Sequence, residues 1–143
     1  MTPRALSLLP RVRRFHRFGI GASGRGRGSA NARAKIVIEG FLHTGNTYAF
    51  AAFHIANRKI RIAGRLHAPA NVRLAVRLRK PTIVLIRPPA DTAVSFANRM
   101  PDVTVRQALS EYIEFYRNVA PMQSRFLLAE FDQVVSDFGS VIR

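Results

Sequence analysis

From Lys35 onward the chain alternates two kinds of apolar pattern. Short runs of aliphatic and β-branched residues, Ile36-Val37-Ile38 and Thr82-Ile83-Val84-Leu85-Ile86, are bounded by polar or breaking residues. Continuous runs of this length fit strands covered on both faces. Between them lie stretches whose apolar positions recur every three to four residues, the spacing of a helix with one buried side. Strands are therefore predicted at Lys35–Glu39, at Thr82–Arg87 and, as a further core strand, at Phe126–Phe131, while the alternation of Ile60 and Ile62 with basic residues predicts a short strand at Lys59–Ala63. Helices are predicted at Asn46–Asn57, Ala70–Lys80, Asp91–Met100, Val103–Val119 and Asp132–Ile142. Strands alternating with helices imply an α/β fold with a parallel sheet and right-handed crossovers. Ligands of such sheets sit at the carboxyl ends of the strands.

Residues 1–34 do not share this pattern. Residues 1–18 are arginine-rich with scattered Leu, Val and Phe, and Gly19–Gly28 has the composition of a flexible, charged linker. The expected division is a basic, flexible extension over 1–34 and a folded domain over 35–143. The one basic amphipathic stretch of the extension, Arg11–Phe18, suits an arm for RNA or a membrane surface, or else a disordered tail.

Composition narrows the classes. A chain of 143 residues, 48% hydrophobic, can bury one core. There is no cysteine, which removes disulfides and thiolate chemistry. No apolar run approaches a membrane span, and Ala5–Leu9 is short for a secretory leader, so a cytoplasmic location is expected. The formal net charge of +15 is unevenly distributed, since Glu39 is the only acid before Asp91, whereas six acids follow Pro101. Such a field predicts an anionic partner: nucleic acid, an anionic lipid surface or a phosphorylated or sulfated small molecule.

Candidate chemistry clusters at three strand ends. Gly40-Phe41-Leu42-His43-Thr44-Gly45-Asn46-Thr47 has the spacing of a phosphate-binding loop between a strand and a helix, with Asn46 where a nucleoside triphosphatase needs lysine. Backbone N–H groups at a helix start hold phosphate without side-chain charge, so a 5′-phosphate ligand lacking a triphosphate tail is expected. Arg87 ends a strand, and Ser95 lies eight residues on. A guanidinium fork with a hydroxyl is a competent clamp for a second phosphate. His67, in Arg65-Leu66-His67-Ala68-Pro69, is the candidate general base. Glu39 is a second candidate base or, alternatively, a structural carboxylate.

Taken together these segments resemble the sulfotransferases that use 3′-phosphoadenosine 5′-phosphosulfate. Thr44-Gly45-Asn46-Thr47-Tyr48 looks like that family's 5′-phosphosulfate loop, with Leu42 and His43 where the family has proline and a basic residue. Arg65-Leu66-His67-Ala68-Pro69 is similar to its base-bearing segment, and Arg87-Pro88-Pro89-Ala90-Asp91-Thr92-Ala93-Val94-Ser95 to its 3′-phosphate motif. Leu128-Ala129-Glu130-Phe131 falls in the place of a further family strand.

The resemblance implies a P-loop NTPase-like sheet, incomplete at the C-terminus, and an N-terminal half that would be a poor enzyme by itself. It implies sulfuryl transfer to a small-molecule or carbohydrate acceptor, with no metal. His67 would be the base and His43 would stand at the leaving oxygen. Thr44, Gly45, Asn46 and Thr47 would hold the 5′-phosphosulfate, and Arg87 with Ser95 the 3′-phosphate. Two other classes stand beside it. A phosphate-loop kinase or triphosphatase is disfavoured by Asn46 and by the lack of a strand-end acid for magnesium. A nucleic-acid binder is favoured by charge alone, without aromatic stacking platforms.

Overall fold

A computed structural model describes residues 28–142; the readings on residues 1–27 lie outside them. Strands β1 (Ile36–Gly40), β2 (Ile62–Gly64), β3 (Thr82–Ile86) and β4 (Leu127–Glu130) form one sheet in the order β2-β1-β3-β4. Every pairing in it is parallel. The connections are α1 (Asn46–Ala56), α2 (Pro69–Arg77), the pair α3 (Pro89–Arg99) and α4 (Val105–Val119), and a final helix α5 (Phe131–Val141). The architecture is thus α/β, a parallel sheet flanked by helices.

Strand alternation sorts the core into two layers. Ile38, Ile83, Leu85 and Ala129 pack against Ala49 and Phe53 of α1 and Val134 and Phe138 of α5. Val84 faces the other way, onto Val72 of α2, Phe96 of α3 and Ala108, Tyr112, Phe115 and Val119 of α4. The central strands β1 and β3 are buried on both faces, as their unbroken apolar runs require. A local signal sets the start of α4: Thr104 and Gln107 form a reciprocal capping box, Thr104 Oγ1 accepting from Gln107 N at 3.2 Å and Gln107 Oε1 from Thr104 N at 2.8 Å.

Two strands differ from the sequence expectation. β2 lies at Ile62–Gly64, with Lys59 and Ile60 in the preceding turn. Gly64 continues the strand where a glycine reads as a breaker, because β2 runs so close to β1 that a Cβ there would sit 1.8 Å from the Ile38 carbonyl oxygen. β4 is an edge strand rather than a core strand. Leu127, Leu128 and Glu130 are exposed and only Ala129 is buried.

The packed chain begins ahead of Lys35. Ala30 and Ala34 are buried against Val37, Ala63 and Ala75, and Gly28 pairs antiparallel with Gly64 along the outer edge of β2.

Candidate functional site

The carboxyl ends of β1, β2 and β3 meet at the loop Phe41–Gly45. Phe41 anchors it from below, its ring meeting Phe96, Tyr112 and Phe115 edge-on at 5.6–6.0 Å between centroids. His43 and Gly45 take positive φ values of 62° and 89° and turn the chain into α1. Glycine at the second position has steric as well as conformational grounds: a Cβ there would stand 3.1 Å from the Phe131 ring.

The loop's own side chains are largely committed to its shape. Thr44 is fully buried, and its hydroxyl donates to the Phe41 carbonyl at 2.7 Å. Asn46 Nδ2 donates to the Phe41 carbonyl at 2.8 Å and to Thr44 Oγ1 at 3.0 Å. Asn46 Oδ1 is buried without a hydrogen-bond partner among the described residues. Thr47 is exposed. The donors this loop could offer an anion are therefore the N–H groups that the first turn of α1 leaves without intrahelical acceptors, together with the Thr47 hydroxyl.

His67 is brought directly to the loop. Its Nδ1 lies 3.0 Å from the Gly40 carbonyl, which can only accept, so the neutral ring carries its proton on Nδ1 and its lone pair on Nε2. The backbone that presents it is strained, with Arg65 and His67 at φ 60° and 54°. A buried carboxylate holds that turn. Glu39 Oε1 accepts from Leu66 N at 2.9 Å and Asn71 Nδ2 at 2.8 Å, and Oε2 from His67 N at 3.0 Å and more weakly from Gly40 N at 3.4 Å. Burial raises the Glu39 pKa to about 7 against the opposing pull of these donors.

Arg87 arrives from the other side. Its Nη1 donates to the His43 carbonyl at 3.2 Å, and its guanidinium lies 4.3 Å from the centroid of the Phe131 ring. The Tyr112 hydroxyl donates to the Arg87 carbonyl at 2.7 Å, and that of Tyr116 to the Leu85 carbonyl at 2.6 Å, so α4 secures the end of β3. The His43 ring is tilted against Phe96 at 5.7 Å. Its pKa lies below the usual imidazole value, through burial first and then the charges of Arg99 and Arg87. Near pH 7 His43 is therefore neutral and can offer one N–H rather than a full charge. Ser95 is half-buried in the second turn of α3.

Thus residues from three separate segments, His67, Arg87 and Thr44–Thr47, converge on one loop. Asn71, Tyr112 and Tyr116 carry no motif, and Phe131 enters the sequence reading only as the end of a strand segment, not as a site residue. The only available signals were a polar residue in an apolar helix face for Asn71 and the strand-to-helix junction for Phe131. Among the described residues no group of three or more His, Asp or Glu is placed to hold a metal. No protein family model, curated protein or solved structure matches this chain.

Proposed function

We propose that this chain binds adenosine 3′-phosphate 5′-phosphosulfate at the loop 41–47 and belongs to a sulfotransferase of the P-loop type. One observation carries the reading: His67 and Arg87, from segments twenty residues apart in sequence, are both hydrogen-bonded to carbonyls of the same strand-to-helix turn, Gly40 and His43. A turn that exposes helix N–H groups, with a base on one side and a guanidinium on the other, suits an ester carrying two phosphate positions. The fit has a specific form. The side chains of Thr44 and Asn46 are spent within the loop, so the 5′-phosphosulfate would rest on the backbone amides of Gly45 to Thr47 and on the Thr47 hydroxyl. Arg87 with Ser95 would take the 3′-phosphate, Arg87 giving up its bond to the His43 carbonyl.

In the transfer, the S–O bond to the phosphate breaks as a bond from sulfur to the acceptor oxygen or nitrogen forms. His67 Nε2 accepts the acceptor's proton, and the Gly40 carbonyl keeps Nδ1–H oriented throughout. His43 offers an N–H to the developing charge on the leaving oxygen. The acceptor is a hydroxyl or amine of a small molecule or carbohydrate.

Calorimetry with adenosine 3′,5′-bisphosphate, AMP and ATP tests this. The bisphosphate should bind most tightly, and Arg87→Ala should erase its advantage over AMP. Loss of a charge-assisted bidentate pair costs about 1.5–3 kcal/mol. Tighter binding of magnesium-ATP would instead indicate a kinase-like or triphosphatase-like site and end the sulfotransferase reading.

A further inference from the structure

Next to the loop, along the outer edge of β2, runs an open groove of about 890 Å³. One wall is the outer side of α1, the floor is β2 and the turn before it, and the other wall is the segment from Gly28 to Ala34. Arg33, Arg58, Lys59, Arg61 and Arg65 line it, and among the described residues no acid does. The imbalance extends beyond the lining. Glu39 is the only acid anywhere in residues 28–90, and it is fully buried with its oxygens taken by Leu66, His67 and Asn71. The other acids follow β3 in sequence, with Glu130, Asp132 and Asp137 on β4 and α5 at the opposite edge of the sheet.

The groove is a built feature. Its far wall is pinned by the Gly28–Gly64 pair, with N···O distances of 2.9 and 3.2 Å, by Ala30 N donating to Asn71 Oδ1 at 2.7 Å, and by Lys35 N donating to the Arg61 carbonyl at 2.9 Å. Arg65 is steadied over the Phe50 ring at 5.6 Å. Arg33, Arg58, Lys59 and Arg61 are exposed, so their charges act in solvent.

We infer that this groove binds the phosphodiester backbone of nucleic acid, independently of the nucleotide reading of the loop. Four of its five cations are arginines, whose planar forks match phosphate geometry. The chain enters the fold at the groove, and the preceding residues 1–27 contain seven arginines and no acid. Charge of this extent complements a long, evenly charged polymer better than a short acidic peptide. Recognition is by backbone and not by base sequence, and its strength falls steeply with salt.

The test is fluorescence anisotropy of the full chain with a labelled single-stranded oligonucleotide at several salt concentrations. Each phosphate contact contributes about 0.7 to the slope of log affinity against log salt. Arg58→Gln with Arg61→Gln should therefore flatten the slope by roughly 1.4. Arg73→Gln with Arg77→Gln removes the same charge from exposed positions on α2 outside the groove, and should leave the slope unchanged. An unchanged slope in the groove variant, or equal flattening in both variants, overturns the proposal, because binding then follows net charge or residues 1–27. Polyglutamate of matched charge binding as tightly as the oligonucleotide overturns the assignment of the partner. Circular dichroism of each variant confirms folding, and since all four arginines are exposed, none should lose it.

Discussion

The two sides of the loop are held in opposite ways. On the β2 side, His67 is locked by a fully buried carboxylate that accepts from three backbone amides and an asparagine, through a turn with two residues at positive φ. On the β3 side, the Arg87 side chain rests on the partly exposed face of Phe131 and makes one hydrogen bond of 3.2 Å to a carbonyl. The first arrangement is costly to disturb, because removing the acceptor strands donors in the interior. The second can be exchanged for a ligand's oxygens at small cost. The proposed function asks for such an asymmetry, since a base would need to be preorganised whereas a guanidinium clamp could close on its anion.

The harshest way to break the locked side is Gly64→Ala. Gly64 has φ 135°, and an added Cβ would lie 1.8 Å from the Ile38 carbonyl oxygen and 2.8 Å from its carbon, both backbone atoms of β1. Neither can retreat without parting β1 from β2. Overpacking and backbone strain together should cost on the order of 4 kcal/mol. In urea denaturation the variant should unfold at a far lower midpoint, with the groove and the His67 turn both lost. A midpoint near that of the wild type would mean that β2 is not packed so closely.

Glu39→Ala comes next. It leaves Leu66 N, His67 N and Asn71 Nδ2 without their acceptor, and buried donors without partners cost about 1–3 kcal/mol each when water cannot reach them. A loss of roughly 3 kcal/mol is expected, with Glu39→Gln milder because an amide oxygen still accepts. If the alanine variant is no less stable than the glutamine variant, the carboxylate is not what holds the turn.

How far these features were legible in sequence follows from the same contrast. The central strands were visible because Ile36-Val37-Ile38 and Thr82 to Ile86 are unbroken apolar runs, and only strands buried on both faces need them. β2 was displaced because its pairing depends on Gly64 having no side chain, a property of the partner strand's distance that no local pattern encodes. The apolar Leu127 and Leu128 predict a core strand for β4, yet they lie exposed at the sheet edge. At the site, spacing pointed to His67 and Arg87. It could not show that Thr44 and Asn46 turn inward to their own loop, or that Asn71, 41 residues from Ala30, joins Ala30 to Glu39.

The pH dependence sharpens the comparison further. Glu39 has a folded pKa of about 7 against an ordinary 4.5, so between these values the folded protein holds a proton that the unfolded chain has released. Stability from this group is therefore full below about pH 4.5, declines as pH rises and levels off above about 7. At about 1.4 kcal/mol per unit, the total is roughly 3 kcal/mol. Other groups titrate too, so the quantity to follow is the stability of the wild type relative to Glu39→Gln, which cannot ionise. That difference should shift against the wild type from pH 4.5 to 7. A flat difference would show that the four donors match the burial penalty and that the carboxyl titrates normally.

The smallest effect on stability should come from the exchangeable side. Arg87→Ala removes one hydrogen bond to a carbonyl and one stacking contact, each worth about 0.5–1 kcal/mol at a partly exposed position. The backbone of β3 keeps its supports, since Tyr112 and Thr92 bond to the Arg87 carbonyl, which alanine retains. Phe131 still covers Gly45. The thermal midpoint should therefore move by only a few degrees, consistent with about 1 kcal/mol in a domain of this size, while bisphosphate affinity drops at least tenfold. Arg87→Lys separates the two roles. It keeps the charge but loses the planar fork, so it should restore part of the affinity and little of the preference for the 3′-phosphate. If Arg87→Ala instead destabilises the protein as much as Glu39→Ala, then Arg87 is a structural pin like the carboxylate opposite it, and the contrast between the two sides fails.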